Sequence, residues 1–259
     1  MKLEKDAYGQ QVWAYLNGKE SYEVVERDDG FVGLSGGAPA YFEDFKSWSR
    51  YEKEAIKFVK GKVLDVGAGA GRVSLYLQKR RLDVIAIDNS PLSIKVCKKR
   101  GVKKARVMSI DEIYKFKSNF FDTIIMFGNN FGLFGSFKKA KKLLKTLYKI
   151  TAENALIIAG SNDPYKKVGR SVHLQYHKLN KKRGRMSGQL RIRIRFKEYI
   201  GDWFDYLLVS KKEMQEILKD TGWKVKKFID SENSPYIAII EKRRNLEIKS
   251  CKFNQKVKN

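Results

Sequence analysis

The chain has 259 residues, 42% of them apolar, enough for one large α/β domain with a sizeable core. Its 54 Lys and Arg against 29 Asp and Glu give a formal net charge of +25, which suits nucleic acid, anionic lipid or phosphorylated small molecules as partners, or reflects a uniformly lysine-rich composition. No apolar run is long enough to span a membrane, the opening MKLEKDAYGQQ lacks a signal peptide's apolar stretch, and the two cysteines, Cys97 and Cys251, form neither a metal pattern nor a disulfide framework; the expectation is a soluble, cytoplasmic protein that holds no metal and does not engage a membrane.

Residues 1 to 45 are polar and aromatic, with turn signals at RDDG and SGGAP, and are expected to form a cap or lid ahead of the main domain. In SWSRYEKEAIKFVK, Trp48, Tyr51, Ala55 and Phe58 have helical spacing, and Gly61 follows as a stop. KVLDV reads as a buried strand, and RVSLYLQKR, after a glycine loop, as a helix. LDVIAID is a second strand, and Ser90 and Pro91 stand as N-cap and first helical residue of SPLSIKVCKKRG. KKARVM, FFDTIIMFG and NALIIAG are a third, fourth and fifth strand, with the helix SFKKAKKLLKTLYKI before the last. This alternation predicts a parallel sheet covered by helices on both faces.

The rhythm breaks near Asn162. Between 165 and 209 no helix is expected; GQLRIRIRF alternates strictly and GDWFDYLLV follows it, an antiparallel hairpin inserted after the fifth strand. The α/β pattern then resumes. Ser210 and Glu213 form a capping box for KKEMQEILKD, and GWKVKKFID and SPYIAIIEK are two closing strands. The main domain is thus expected over 46–241, followed by a basic, polar tail over 242–259.

The glycine loop carries the first chemical signal. In VLDVGAGAGR, Gly67, Gly69 and Gly71 alternate where a strand meets a helix, an arrangement that offers backbone N–H groups to a ligand. A nicotinamide fingerprint would want a third glycine where Arg72 stands. Asp65 lies within the strand end. Asp88 ends the next strand, where it serves either as an acceptor for ribose hydroxyls or as a turn residue before the Ser-Pro cap.

These features resemble the class I S-adenosylmethionine-dependent methyltransferases. The resemblance begins at VLDVGAGAGR, continues through IAIDNSP, ARVMSIDEI and FFDTIIMFGNNFGLFG, and covers roughly residues 45 to 240. It implies a Rossmann-like, seven-stranded mixed sheet with helices on both faces and S-adenosyl-L-methionine as cofactor. It also implies that Gly67, Ala68, Gly69 and Gly71 line the methionine portion, that Asp65 orders the loop and the cofactor's amino group, that Asp88 holds the ribose hydroxyls, and that Asn89, Ser109 and Ile110 lie against the adenine. Ile110 departs from the pattern, since many members carry an acid in that turn; Asp111 is the substitute. Phe127, Gly128, Asn129 and Asn130 would face the sulfonium and the acceptor.

GNNFGLFG is similar to the corresponding stretch of glycine N-methyltransferase-type small-molecule enzymes, and a small-molecule acceptor is the first expectation. The insertion supports a second, RNA. Its strand puts Arg191, Arg193 and Arg195 on one face, Lys178, Lys181, Lys182, Arg183 and Arg185 precede it, and no acid occurs from Lys178 through Lys197. Such a cluster follows phosphates, pairs with an anionic small substrate, or is a solvated outer face. A protein acceptor, or a methyltransferase-like fold that binds without turnover, comes third. Trp203, with Phe204 and Tyr206, is a candidate wall of the acceptor pocket or ordinary packing, and Tyr41 of SGGAPAYF is the candidate lid residue. Asn130, Asp163, Asp205 and His173 are the candidate catalytic groups. His177 stands four residues from His173 without a third ligand, so no metal site is expected.

Overall fold

The computed structural model describes residues 1–166 and 171–243; of the tail expected over 242–259, Lys242 ends the last strand instead, and residues 244–259, with Cys251, lie outside the described residues. The chain begins with α1 (Ala7–Leu16), the short strands β1 (Val24–Arg27) and β2 (Val32–Leu34), and α2 (Gly37–Phe42). α3 (Arg50–Ala55), β3 (Lys62–Val66), α4 (Arg72–Lys79), β4 (Asp83–Asp88), α5 (Pro91–Lys99), β5 (Ala105–Val107), β6 (Phe121–Met126), α6 (Phe137–Ile150) and β7 (Thr151–Asn162) follow in the expected alternation. Then come α7 (Ser171–Lys182), β8 (Gln189–Phe196), β9 (Tyr199–Ile200), β10 (Phe204–Leu207), α8 (Lys211–Leu218), β11 (Trp223–Asp230) and β12 (Pro235–Lys242).

Seven strands form the main sheet in the order β5-β4-β3-β6-β7-β12-β11, with β12 alone running against the others. Successive side chains of a strand point to opposite faces, and both faces are buried. Leu64 and Val66 of β3 and Ala238 and Ile240 of β12 join α6 and α8 in one core, while Val63, Ile237 and Ile239 join Trp48, α3 and α4 in the other. At roughly 1.5–3 kcal/mol per fully buried large aliphatic side chain, this two-faced burial is what holds the sheet. The strand order turns back at β3, which has β4 on one side and β6 on the other. Open α/β sheets bind ligands in the crevice beyond such a switch point.

A second, antiparallel sheet runs β10-β8-β1-β2, with β9 also on β8. The expected hairpin is its centre: Phe204 to Leu207 pair with Ile192 to Gln189. Its other half is N-terminal. Val24 to Arg27 of β1 pair with Arg195 to Ile192, and the RDDG turn joins β1 to β2. The N-terminal segment and the insertion therefore build one layer.

The structure corrects the expectation that 165–209 holds no helix. α7 is a helix of 12 residues. Its two buried side chains, Tyr176 and Asn180, are one turn apart and both polar at the tip. Asn180 Nδ2 donates to Ser187 O (3.1 Å) and Gln189 O (2.7 Å), and Tyr176 Oη donates to Asp28 Oδ1 (2.6 Å) while accepting from Arg191 N (3.0 Å). A helix fastened by hydrogen bonds shows little of the apolar period by which helices are recognised.

Candidate active site

The loop after β3 is set by three left-handed residues, Gly67 (φ 72°), Gly69 (φ 56°) and Gly71 (φ 82°). A Cβ at Gly67 would stand 2.5 Å from Asn130 Nδ2, and one at Gly69 2.8 Å from Tyr8 Oη. Both glycines are thus required by conformation and by close neighbours. Asn130 is the strut beneath them: its Nδ2 donates to Val66 O and Gly67 O, each at 2.9 Å. Asp65, 2% exposed, accepts from Ser74 Oγ of α4 at 2.7 Å and so ties strand to helix.

Asp88, at the end of β4, crosses to the same loop. Its Oδ2 accepts from Gly69 N (3.0 Å) and its Oδ1 from Ser90 N (2.9 Å). Burial pushes both Asp65 and Asp88 up to about 6. Behind Asp88, the carboxylate of Asp6 caps α1 through Gly9 N (2.9 Å) and holds the start of α5 through Ser90 Oγ (2.8 Å) and Leu92 N (3.1 Å). Two helix N-termini, each favouring negative charge, meet on this one acid.

A backbone elbow follows β6. Gly128 (φ 64°) and Asn129 (φ 67°) are both left-handed. Asn129 O accepts from Tyr206 Oη at 2.7 Å, which brings β10 against the elbow. Tyr8 and Tyr41 pack edge to face, 5.3 Å between centroids, beside Gly69. Tyr41 Oη donates to Glu23 Oε2 (3.3 Å). Burial and the nearby carboxylate of Glu23 raise the Tyr41 phenol well above its ordinary value, and burial does the same to Tyr8.

A glycine-rich loop at a sheet's switch point, crossed by the acid ending the next strand, is a nucleotide cradle, and its fit can be counted. An ionised carboxylate has about four lone-pair sites; Asp88 uses two on Gly69 and Ser90, leaving one per oxygen, as a ribose diol requires. A family model described as "Methyltransferase domain" matches residues 64–159. The chain is similar to a SAM-dependent methyltransferase from Bacteroides fragilis, crystallised with S-adenosyl-L-homocysteine, at 27% identity and a TM-score of 0.79 over 94% of this chain and 98% of that one. Residues 64–159 carry a methyltransferase domain, and the chain has the fold of the class I S-adenosylmethionine-dependent methyltransferases. Its cofactor is S-adenosyl-L-methionine. The same fold recurs in a SAM-dependent methyltransferase from Methanosarcina mazei (15% identity, TM-score 0.57, 72% of this chain and 95% of that one) and in a protein from Pyrococcus horikoshii (15%, 0.55, 79% and 96%). No curated protein sequence matches the chain.

In this methyltransferase the remaining expected residues fall into two groups. Ala68 N, with Gly67 N, donates to Ile87 O, which joins the loop to β4. Asn89 is exposed at the end of β4. Ser109 caps the 3-10 turn Ile110–Lys115 in a capping box with Glu112. Ile110 is in the core, while Asp111 is exposed and paired with Lys139 at 2.8 Å. Phe127 is also a core residue, edge-on to Trp48. Asn130 is occupied with the loop.

The second group lies in the outer sheet and α7. Arg193 grips Glu26 with both Nε and Nη2 (2.9 Å each), Arg195 reaches the same acid (3.1 Å), and Arg191 pairs with Asp205 (3.2 Å). Trp203 stacks under Arg193, 4.6 Å from guanidinium to ring. His173 sits against Phe31 and Arg27, and His177 against Tyr165. Asp163 closes a turn on Tyr165 N beyond β7. Among the described residues no cluster of His, Cys, Asp and Glu suits a metal ion, and no helix is long and apolar enough to cross a membrane.

Sequence reasoning missed Tyr8, Glu23 and the contact of Tyr206 with the elbow. Asp6 was legible as an N-cap for AYGQQVWAYL, which would have brought Tyr8 forward; nothing local marks Glu23.

Proposed function

We propose that the enzyme methylates a small molecule held between the glycine loop and the second sheet. One observation carries this reading: the mouth of the cofactor loop is fenced by the chain's own tyrosines. Tyr8 and Tyr41 stand against Gly69, and Tyr206 is bonded to Asn129. A polymer reaching the loop would have to displace all three. The arginine stripe, which favours RNA when read from sequence, has two of its three positive charges offset inside the sheet by Glu26 and Asp205.

The cofactor, when bound, supplies a methyl group already activated on a sulfonium. The chain's task is mainly alignment. In this reading Asp88 accepts the ribose hydroxyls, the Gly67–Gly71 segment takes the methionine portion, and Asp65 keeps the loop in register with α4. Asn129 and its neighbours line the reacting side, and Tyr41 closes it. Calorimetry with S-adenosyl-L-homocysteine tests the first half: Asp88→Ala should weaken binding by about tenfold or more, since it removes two charge-assisted hydrogen bonds, and equal binding would discard the assignment. Methyl-tritiated cofactor, offered separately to the low-mass, RNA and protein fractions of a cell extract, tests the second. Label is expected in the low-mass fraction; label in RNA would make the enzyme an RNA methyltransferase.

A further inference from the structure

Glu23 is a buried acid outside the residues assigned above to the cofactor. It is 5% exposed and lies just before β1. Its Oε1 accepts from Ser35 Oγ and its Oε2 from Gln11 Nε2, both at 2.5 Å, and Tyr41 Oη completes the set. All three partners are neutral donors. Among the described residues no cation pairs with it, in a chain with 25 more basic than acidic side chains. Other acids are treated differently: Glu26 has Arg193 and Arg195, Asp29 has Arg27, and Glu52 has Arg72, while Asp6, Asp65 and Asp88, which also lack a cation, accept from backbone N–H groups at helix starts or the glycine loop. A structural link between α1, β1 and α2 needs only neutral hydrogen bonds, and a buried carboxylate is a costly way to make it.

The position of Glu23 points to what its charge serves. The Tyr41 ring joins it to Gly69, and its field bears on the phenols of Tyr8, Tyr41 and Tyr206. Three of its roughly four lone-pair sites are filled, which leaves one for a ligand. A carboxylate among aromatic rings is the chemistry that recognises an organic ammonium, by charge, hydrogen bond and cation–π attraction. We propose that Glu23 is the acceptor-anchoring residue of this enzyme, and that the acceptor is a small molecule carrying a cationic amine seated between Glu23, Tyr41 and Tyr206. This rests on the small-molecule reading above and adds the substrate's charge. For transfer the ammonium gives its proton to the Glu23 carboxylate, the freed nitrogen lone pair forms the new carbon–nitrogen bond as the methyl–sulfur bond breaks, and S-adenosyl-L-homocysteine leaves.

The test uses the full chain, methyl-tritiated cofactor and a panel of low-mass compounds in four classes: primary and secondary amines, uncharged phenols, thiols and carboxylic acids. Label is expected in the amine class alone. Glu23→Gln, which keeps the shape and removes the charge while turning one accepting oxygen into a donor that the Ser35 hydroxyl can receive, should raise the amine's KM by about 30-fold or more, with kcat changed less and S-adenosyl-L-homocysteine affinity within about twofold. Labelling outside the amine class, or no amine labelled, overturns the assignment even if Glu23→Gln fails to fold. An unchanged amine KM in a folded Glu23→Gln overturns the role of Glu23. Loss of cofactor binding by the wild type, or label in RNA, would instead fail the functional reading beneath it.

Discussion

Asn130→Ala separates two roles for one residue. From sequence, Asn130 faces the acceptor; in the structure its amide holds the carbonyls of Val66 and Gly67 at 2.9 Å each. A net 0.5–1.5 kcal/mol per hydrogen bond puts the loss at about 1–3 kcal/mol. For a domain of this size that is a fall in Tm of roughly 3–10 °C. The amide also fills the space where a Cβ on Gly67 would stand, 2.5 Å from its nitrogen, so its removal lets the loop sag toward the vacated volume. Each 1.4 kcal/mol of loop ordering then required on binding weakens the cofactor about tenfold. Thermal melts and calorimetry with S-adenosyl-L-homocysteine read both effects. Asn130→Asp should be worse than alanine near neutral pH, because it sets a carboxylate against two carbonyl oxygens. If Asn130→Ala melts and binds cofactor like the wild type and changes only the acceptor's KM, the strut reading is wrong and the residue faces the acceptor.

The site's acids predict a pH dependence. Burial raises Asp65 and Asp88 to about 6 from an ordinary 3.8, so the native state holds their protons longer than the unfolded chain does. Their contribution to stability is full below about pH 4 and is lost as pH rises through 6; the cofactor-free protein should gain stability from these groups between pH 7 and 5, and Asp88→Asn should reduce that gain. Cofactor hydroxyls favour the ionised form, so binding of S-adenosyl-L-homocysteine should weaken below pH 6 and release protons there, measurable by calorimetry in two buffers of different ionisation heat; proton uptake would refute it. Asp6→Ala should lower stability by about 2 kcal/mol, since it uncaps α1 and frees the start of α5, and an unchanged melt would show those contacts to be idle. Glu26→Gln should free Arg193 and Arg195 and steepen the salt dependence of binding to bulk tRNA; a wild type that already binds tRNA steeply, and loses it on Arg191→Glu with Arg193→Glu, would show the pairs to be open in solution.

The cofactor half of the molecule was legible because its causes are local. A left-handed backbone needs glycine at the residue concerned, a strand buried on both faces is an unbroken apolar run, and an N-cap sits beside its helix; VLDVGAGAGR, IAID and Ser90-Pro91 display these within a few residues. The second sheet has causes of another kind. β1 and β2 are four and three residues long, below the length at which alternation can be seen, and β1 is a strand because β8, some 170 residues later, offers it a ladder. α7 is a helix whose buried face is polar, so the apolar template overlooks it. The arginine stripe is a related case: no acid occurs from Lys178 through Lys197, yet Glu26 and Asp205 lie beside it in space.

The proposed acceptor side is the extreme case. Tyr8, Glu23, Tyr41 and Tyr206 come from four separate segments, and none belongs to a motif. Glu23 is noteworthy only once its surroundings are known, because a glutamate among polar residues is ordinary, whereas a buried one bonded to three neutral side chains and to no helix start is not. This division follows from the chemistry. An unchanging cofactor is held by backbone shape, which a short string of residues can encode and keep. In the reading proposed above, the acceptor is held by side chains of the layer added over the sheet. In this chain that layer is woven from the N-terminal segment and the insertion, so a substitution at Glu23 should alter acceptor choice while leaving the glycine loop and its cofactor undisturbed.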